Sequence, residues 1–332
     1  MTAWRRAAAL GLAGVLVGSP AYAASRAVPS QRLFSFTDPM IFESSGLVDR
    51  GDVVYTNNDS GDDAVVYGVD AATGDTISRT RYAGSVTDVE AIAPGARGSL
   101  WAGDIGDNQH RRHDIAVYRM VPLDGDHPGV RYTLTYPDGP HDAETLLVRP
   151  HHKRRVFVVT KSVFGGTVYA APRHLVPGTH PNRLRPVAEV RGLVTDGTFF
   201  PDGKHVLLRT YSSASVYTFP AFGLVGTVRL PSQPQGEGIS VGTNGRVLVS
   251  SEGVHSDVLR VELPTALTTP SARAVSGPLA LPPSTRPASA GTRAGPPGRG
   301  PLDWAGIILV GAAIAGGAYI TVRGPRVGGP GG

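Results

Sequence analysis

Short runs that alternate apolar and polar residues recur along the middle of the chain and predict β-strands. After a polar turn, β-branched or aromatic residues cluster at residues 52–55, 99–101, 155–159, 205–208 and 246–249. Further apolar runs that end in tyrosine, such as residues 64–67 and 115–118, follow some of these clusters. Period-two runs bounded by turn residues are typical of antiparallel strands. The pattern therefore predicts a small antiparallel sheet that occurs five times.

A short acidic signature precedes each predicted sheet and sets the repeat. Aligned on their third positions, the five copies have Ser45, Glu90, Glu144, Asp196 and Glu237, at intervals of 45, 54, 52 and 41 residues. Units of about 40 to 45 residues with four short strands are typical of propeller blades. The sequence predicts an all-β, five-bladed β-propeller over residues 24–265, with six blades as the alternative if residues 110–138 contain an extra hairpin.

The last repeat supplies only three of its four strands. Residues 32–36 alternate apolar and polar side chains upstream of the first repeat and belong to no blade of their own. Because an open sheet edge is avoided when the two ends of the ring pair, we expect this N-terminal strand to complete the fifth blade and close the propeller.

Both ends of the chain carry targeting signals. Arg5 and Arg6 precede an apolar run, and Ala-Tyr-Ala at residues 21–23 fits a cleavage site, so residues 1–23 are predicted to be a signal peptide. Residues 266–303 are rich in Pro, Ala, Ser and Gly and predict a linker. Residues 304–322 predict a transmembrane helix, and the arginines in residues 323–332 predict a short cytoplasmic tail. We expect a single-pass protein of the cell membrane whose N-terminal domain is extracytoplasmic.

The charge and the cysteine content exclude several classes of function. The chain carries a formal charge of +5 and has no cysteine. The excess of arginine lies in the targeting ends, whereas residues 27–265 hold 23 basic and 26 acidic residues. A net negative domain does not favour nucleic acid as a partner. The absence of cysteine excludes disulfides, thiolate metal sites and cysteine nucleophiles.

Acidic side chains of the repeats form the candidate binding site. Side chains two apart on a strand share a face, so the innermost strands are expected to ring the channel mouth with carboxylates. Loop positions of the later blades add two basic residues, Lys161 and Arg209, and one more acidic residue, Glu252, to the same end of the channel. The candidate ligand-binding residues are Glu43, Asp88, Glu90, Asp142, Glu144, Asp196, Arg209, Glu237 and Glu252, beside Lys161. Two interpretations stay open: a self-satisfied ion network, and a site that binds an anion next to a metal.

Two loops suggest a candidate calcium site. Asp-Ser-Gly-Asp-Asp at residues 59–63 and Asp-Ile-Gly-Asp-Asn at residues 104–108 place Asp and Asn oxygens around a glycine turn. Calcium takes six to eight oxygen ligands, which makes Asp59, Asp62, Asp104 and Asp107 candidate ligands. The alternative is that these residues form Asx turns that cap backbone amides. His141, at the start of an inner strand, is a further candidate for the site.

Several motifs together resemble a known group of proteins. Asn-Asn-Asp-Ser-Gly-Asp at residues 57–62, the loop at 104–108, Asp-Ala-Glu at 142–144, and Gln-Gly-Glu-Gly-Ile at 235–239 are similar to exported actinobacterial β-propeller proteins labelled WD40-like or esterase-like-activity-of-phytase. The resemblance covers residues 30–265. The related calcium-dependent propeller phytases use acid clusters to hold calcium and a basic residue for phosphate. The resemblance thus implies these roles for the acidic ring, Lys161 and Arg209.

The sequence leaves two hypotheses of function. The first is a binding module that recognises an unidentified small ligand or cell-surface protein at the channel mouth, with or without calcium. The second is a calcium-dependent hydrolase of phosphate or carboxylic esters. In the hydrolase, a calcium ion would polarise the scissile group and Arg209 and Lys161 would hold the anionic part. Glu90, Glu144 or Glu237 would activate water.

Overall fold

Strands dominate the described part of the chain. The computed structural model describes residues 26–59, 63–151 and 155–268, in which 22 strands form five sheets. The strands in chain order begin with β1 (Ser30–Ser35), β2 (Ser44–Asp49), β3 (Val53–Asn58), β4 (Val65–Asp70) and β5 (Thr76–Arg81). They continue with β6 (Val89–Pro94), β7 (Leu100–Asp104), β8 (Ile115–Met120), β9 (Gly125–Asp126) and β10 (Val130–Thr135).

The second half of the domain repeats the same arrangement. Its strands are β11 (Ala143–Val148), β12 (Val156–Thr160), β13 (Gly166–Ala170), β14 (Gly178–Arg183) and β15 (Arg185–Val190). Then follow β16 (Val194–Phe199), β17 (His205–Thr210), β18 (Ser213–Thr218), β19 (Leu224–Arg229), β20 (Gly236–Val241), β21 (Val247–Ser251) and β22 (Asp257–Val261).

Each sheet is one blade of a five-bladed propeller, as predicted. The five inner strands β2, β6, β11, β16 and β20 contact one another in that order, and β20 contacts β2. Four of them are buried along their whole length. The outer strand β5 instead alternates exposed and partly buried positions. The hydrophobic core is accordingly divided into five clusters in the described residues, each packed between two neighbouring blades.

The ring closes through its N-terminal strand, which confirms the prediction for residues 32–36. β1 pairs antiparallel with β22, with Ser30 opposite Val261 and Ser35 opposite Asp257. Phe34 and Phe36 pack edge to face with ring centroids 5.6 Å apart, in the cluster between the fifth and first blades. The end of the propeller is thereby joined to its beginning within a single sheet.

The alternative of six blades is wrong. β8 and β10 are the two outer strands of the second blade, and the two-residue β9 adds to the edge of the first blade, parallel to β5. β14 likewise adds to the edge of the second blade, parallel to β10. The extra length in these connections therefore covers outer sheet edges, which would otherwise expose unpaired backbone groups.

The predicted linker begins with a short ordered segment. A four-residue helix, α1 (Thr265–Thr268), follows the last blade, and its Leu267 is buried in the cluster between the fourth and fifth blades. The described residues contain no helix with the length and hydrophobicity needed to cross a bilayer. The predicted signal peptide, the rest of the linker, the helix at 304–322 and the tail lie outside the described residues.

We expect closure by β1 to be a main source of stability. Phe34 is 5% exposed, so Phe34→Ala leaves a cavity between the last and first blades and should lower the free energy of unfolding by about 3 kcal/mol. Phe164 is 98% exposed, and Phe164→Ala is the matched control, expected to change stability by less than about 0.5 kcal/mol. Urea denaturation of the purified chain measures both, and equal effects would contradict this account of closure.

Candidate functional site

A β-bulge interrupts every inner strand at its second residue. In the second blade Val89 pairs with Asp104 and Ala91 with Gly103, which leaves Glu90 as the extra residue. The same shift occurs between β11 and β12, where it leaves Glu144 as the extra residue. Bulges re-aim a side chain out of the regular alternation. The register leaves Thr195 as the extra residue of the fourth blade, and it leaves the pairs Ser45–Gly46 and Glu237–Gly238 opposite single residues in the first and fifth blades. The second residues of the five inner strands, Ser45, Glu90, Glu144, Thr195 and Glu237, are all buried.

The fourth blade differs from the sequence alignment by one residue. Val194 pairs with Thr210 and Asp196 with Arg209, so Thr195 and not Asp196 occupies the bulge. The carboxylate of Asp196 instead accepts hydrogen bonds from the backbone amides of Gly197 and Ile239, each at 2.7 Å. Asp196 is fully buried and joins the inner strands of the last two blades. The hydroxyl of Thr195 therefore occupies the ring position that the sequence predicted for the carboxylate of Asp196.

The channel mouth brings carboxylates from three blades into two overlapping triads. Asp59, Asp88 and Glu90 form the first, and Glu90, Asp142 and Glu144 form the second. Within each triad, one oxygen of every residue lies within 4.8 Å of the others. Gly106 makes room for this approach, since a Cβ atom there would collide with Asp88 and Glu90. We call the five residues of the two triads the acidic mouth.

Burial opposes ionisation of this mouth. Burial, followed by the charges of Asp59 and Asp142, raises the pKa of Asp88 to about 7. Burial, followed by the charge of Glu144, holds the pKa of Glu90 well above its ordinary value. Among the residues that the structure describes, three carboxylate oxygens in or beside the mouth are buried without a hydrogen-bond partner: Asp88 Oδ1, Glu90 Oε2 and Glu237 Oε2. Buried unpaired acceptors of this kind are costly unless a proton or a cation joins them.

Two more glutamates border the mouth. Burial raises the pKa of Glu237 to about 7 against the opposing charges of Lys161 and Arg209. Burial and the charge of Glu237 raise the pKa of Glu252 to about 8, and the charge of Glu43 contributes in the same direction. The backbone amide of Asp59 donates to the carbonyl of Glu43 at 3.0 Å, and this bond holds Glu43 beside the first triad.

Lys161 supplies positive charge to the second triad. Its Nζ forms an ion pair with Glu144 Oε1 and lies 5.7 Å from the centroid of the Tyr211 ring. Burial alone would lower the pKa of Lys161, but the Glu144 carboxylate outweighs it and the pKa is raised. Burial holds the pKa of Glu144 well above its ordinary value against the opposing charge of Lys161, so Lys161 offsets only part of the cost of burying this acid.

Arg209 does not face the channel in the way the sequence suggested. It is fully buried, and its Nη1 donates to the carbonyls of Gly238 and Ser250 at 2.7 and 2.9 Å. Its Nη2 donates to Gln233 Oε1 at 2.7 Å. Burial lowers the pKa of Arg209 to about 10, against the charges of Glu237 and Asp196. With its donors bound to oxygens of the protein, Arg209 is a structural cation behind the ring.

The second predicted calcium loop is a structural turn. Asp104 Oδ1 accepts the amide of Asp88 at 2.9 Å and pairs with Arg112 at 2.8 Å. The two carboxylate oxygens of Asp107 accept the amides of Arg111 and Arg112, both at 2.9 Å. Asp104 and Asp107 are thus Asx-type caps and belong to neither triad. Of the first loop, Asp59 joins the acidic mouth, whereas Asp62 lies outside the described residues.

His141 also lies apart from the mouth. Its Nε2 is 3.1 Å from Asp138 and 3.0 Å from the Tyr169 hydroxyl, in an aromatic cluster with Tyr136.

Two hydroxyls of the ring have a role that the sequence did not predict, although Ser45 was one of the five aligned repeat positions. Ser45 and Thr195 donate to the carbonyls of Glu90 and Glu237, at 2.5 and 3.3 Å, and so tie each bulge to the next blade. Both lie at the repeat position that Glu90 and Glu144 occupy in other blades, and this equivalence was the sequence signal that could have identified them.

Comparisons with known proteins show a likeness to solved structures and no family. No family model matches the chain, and no curated protein matches it. Among solved structures, it is similar to one titled crystal structure of glucose dehydrogenase, with 9% sequence identity and a TM-score of 0.43. That match covers 71% of this chain and 100% of the other. The function must therefore be inferred from the chemistry of the acidic mouth.

The raised pKa values predict that the metal-free protein is less stable at higher pH. Ordinary Asp and Glu residues titrate near pH 4, whereas Asp88 titrates at about 7 and Glu252 at about 8. Between these limits the folded form binds more protons than the unfolded form, so the free energy of unfolding falls as the pH rises. Thermal unfolding with chelator should give a lower midpoint at pH 8 than at pH 5.

Glu90→Gln removes one titrating group and should flatten this dependence. Glu262 is an exposed glutamate on the last blade, and Glu262→Gln is the control that should leave the slope unchanged. A midpoint that rises between pH 5 and pH 8 in chelator would contradict the assignment of raised pKa values to the mouth.

Proposed function

We propose that this protein is an exported, membrane-anchored β-propeller that binds a calcium ion at its acidic mouth and, through that ion, an anionic ligand or an acidic group of a cell-surface protein. The single observation that carries the proposal is the pair of carboxylate triads that share Glu90. The resemblance of the sequence to exported propellers labelled WD40-like or phytase-like supports it, as do the predicted signal peptide and membrane helix.

The donor spacing fits one calcium ion per triad. Calcium binds oxygen at about 2.3 to 2.6 Å, so two of its ligands lie at most about 5 Å apart. The triad oxygens lie within 4.8 Å of one another. Each triad supplies three ligands, and backbone carbonyls or water would complete the six to eight that calcium takes.

The chemistry of the donors favours calcium over other metals. All five residues of the acidic mouth are Asp or Glu, and no histidine or cysteine contributes to the triads among the described residues. Zinc and copper prefer nitrogen and sulfur ligands. Magnesium requires a near-ideal octahedron at about 2.1 Å and retains most of its water, whereas calcium accepts irregular carboxylate cages.

The first triad is the stronger candidate for the ion. Lys161 already offsets the charge of Glu144, and Asp142 Oδ1 accepts the amide of Asp107 at 2.8 Å. In the first triad, by contrast, Asp88 Oδ1 and Glu90 Oε2 are buried and have no hydrogen-bond partner within the described part of the chain. A cation bound there would remove the largest unsatisfied charge of the mouth. Its remaining coordination positions would accept a carboxylate or phosphate from the ligand.

Calcium should stabilise the protein through Glu90. At a calcium concentration a hundredfold above the dissociation constant, binding to the folded state adds about 2.7 kcal/mol, which is on the order of 5 °C in the thermal midpoint for a domain of this size. We expect that rise at pH 7.5 relative to chelator, and a smaller rise at pH 5, where the raised pKa values of Asp88 and Glu90 favour their protonated forms. Differential scanning calorimetry measures both.

Two variants make the test specific. Glu90→Gln removes the ligand that both triads share and should abolish the calcium-dependent rise, whereas Glu262→Gln should retain it. A rise of the same size in Glu90→Gln, or no rise in the parent protein, would overturn the calcium site.

One observation favours the hydrolase as a second candidate. Glu237 belongs to neither triad, has a buried oxygen without a partner and has a pKa raised to about 7 by burial. A carboxylate that titrates near neutral pH beside a metal is suited to general-base catalysis. In this role Glu237 would accept a proton from water that attacks a calcium-bound ester, while Lys161 and Glu144 stay paired at the rim.

Glu237→Gln separates the two candidates. If the protein is a hydrolase, calcium-dependent turnover of p-nitrophenyl phosphate or p-nitrophenyl acetate should rise through about pH 7, and Glu237→Gln should lower it about a hundredfold or more. The calcium-dependent shift of the thermal midpoint should survive in this variant. Turnover that is absent in the parent leaves the binding module as the function, whereas turnover that is unchanged in Glu237→Gln would rule out Glu237 as the general base.

A further inference from the structure

The opposite end of the channel contains a cavity of different character. It has a volume of about 420 Å³ and is lined by the last residues of all five inner strands: Asp49, Pro94, Val148, Phe199 and Val241. Because Glu90 and Glu144 of the acidic mouth are the second residues of two of these strands, this cavity sits at the other end of the channel. We call it the lower mouth.

The wall of the lower mouth is mainly apolar. Four of the five strand-end residues are Pro, Val or Phe, and Pro150 and Pro201 add to them. The fifth, Asp49, carries no net charge into the cavity, since Arg246 pairs with both of its oxygens at 2.8 and 2.5 Å. Small-molecule sites are typically cavities of about 300 to 1,000 Å³ with apolar walls and a few polar groups. The lower mouth has these properties.

Two arginines supply the polar groups. Arg50 and Arg149 each follow the end of an inner strand and line the cavity. Arg50 Nη2 donates to the carbonyls of Gly95 and Ser99 at 3.1 and 2.9 Å. Arg149 Nε donates to Gly203 O at 3.1 Å, and its guanidinium lies 4.6 Å from the centroid of Phe219.

Neither arginine is neutralised. Among the described residues, the contacts of both guanidinium groups are to backbone carbonyls and an aromatic ring, and none is an ion pair with a carboxylate. Burial lowers the pKa of Arg50, which shows that its charge is partly desolvated without an acidic partner. Carbonyl contacts fix the two side chains in place and leave other N–H groups for a ligand, and arginine binds carboxylate and phosphate through paired donors.

We propose that the lower mouth binds a small organic anion, whose carboxylate or phosphate contacts Arg50 and Arg149 and whose apolar body packs on Val148, Phe199 and Val241. This site is independent of the acidic mouth. The lower mouth needs no metal, and it binds an anion, whereas the acidic mouth is proposed to bind a cation.

Isothermal titration calorimetry with benzoate tests the proposal on the purified full chain. Benzoate should bind, and its neutral isostere benzamide should bind at least about tenfold more weakly, because it lacks the charge that the arginines recognise. Inorganic phosphate, which has the charge without the apolar body, should also bind more weakly than benzoate. Equal binding of benzoate and benzamide, or no benzoate binding at millimolar concentration, would overturn the proposal.

Variants locate the binding. Arg149→Gln and Arg50→Gln should each weaken benzoate binding about tenfold or more, while Arg229→Gln, at an exposed arginine of β19, should leave it unchanged. Since Arg50 also holds two carbonyls, Arg50→Lys keeps the charge and should retain more affinity than Arg50→Gln. Thermal midpoints without ligand confirm that each variant is folded. Affinity unchanged in Arg149→Gln and Arg50→Gln would rule out this site.

Chelator and Glu90→Gln distinguish this site from the acidic mouth. Benzoate that binds the lower mouth should bind equally with calcium and with chelator, and equally in Glu90→Gln. Benzoate binding that disappears with chelator would place the anion on a metal at the acidic mouth, and would overturn the lower-mouth site while supporting the calcium site.

Discussion

The burial of several carboxylates in one channel mouth is the constraint on which the site depends. Closing five sheets into a ring brings the starts of all inner strands together, and a bulge at each start turns one side chain into the same small volume. Glutamates occupy three of these positions, and hydroxyls that bond the next blade occupy the other two. Buried like charges are unfavourable without compensation. Lys161 compensates one acid, whereas burial raises the pKa of Asp88 and Glu90, which favours a bound proton or a cation at these two acids.

The protein also stabilises this charge from behind the mouth. Arg209 is fully buried between the last two blades, where its charge acts on Asp196 and Glu237 although its donors are bound to backbone carbonyls and Gln233. Gly236 permits this placement, because a Cβ atom there would collide with the guanidinium. Arg209 does not reach the channel. Its charge therefore lowers the free-energy cost of burying the ring carboxylates without filling the channel mouth.

The sequence was enough to predict the blades, their closure by the N-terminal strand and most of the acidic ring, because these features arise from period-two runs at a regular repeat. The position of Asp196 was wrong by one residue, since a bulge shifts register without any mark in composition. The parallel edge strands β9 and β14 have little apolar pattern of their own. Arg50 and Arg149 belong to no sequence motif. Their position beside one cavity becomes visible only when the fold brings the ends of the five inner strands together.

The two ends of the channel have opposite charge, and their separation decides whether they act together. Glu144 and Arg149 stand near the two ends of β11, five residues apart in the sequence, which is about 16 Å of extended chain. At physiological salt the Debye length is about 8 Å, so charges at the two mouths are largely screened where water reaches them. Any coupling between a cation at one end and an anion at the other must then pass through the packed inner strands. The inner strands of the third and fourth blades are buried throughout, and the ring hydroxyls of Ser45 and Thr195 tie neighbouring blades together. A rigid channel of this kind favours two sites that bind independently.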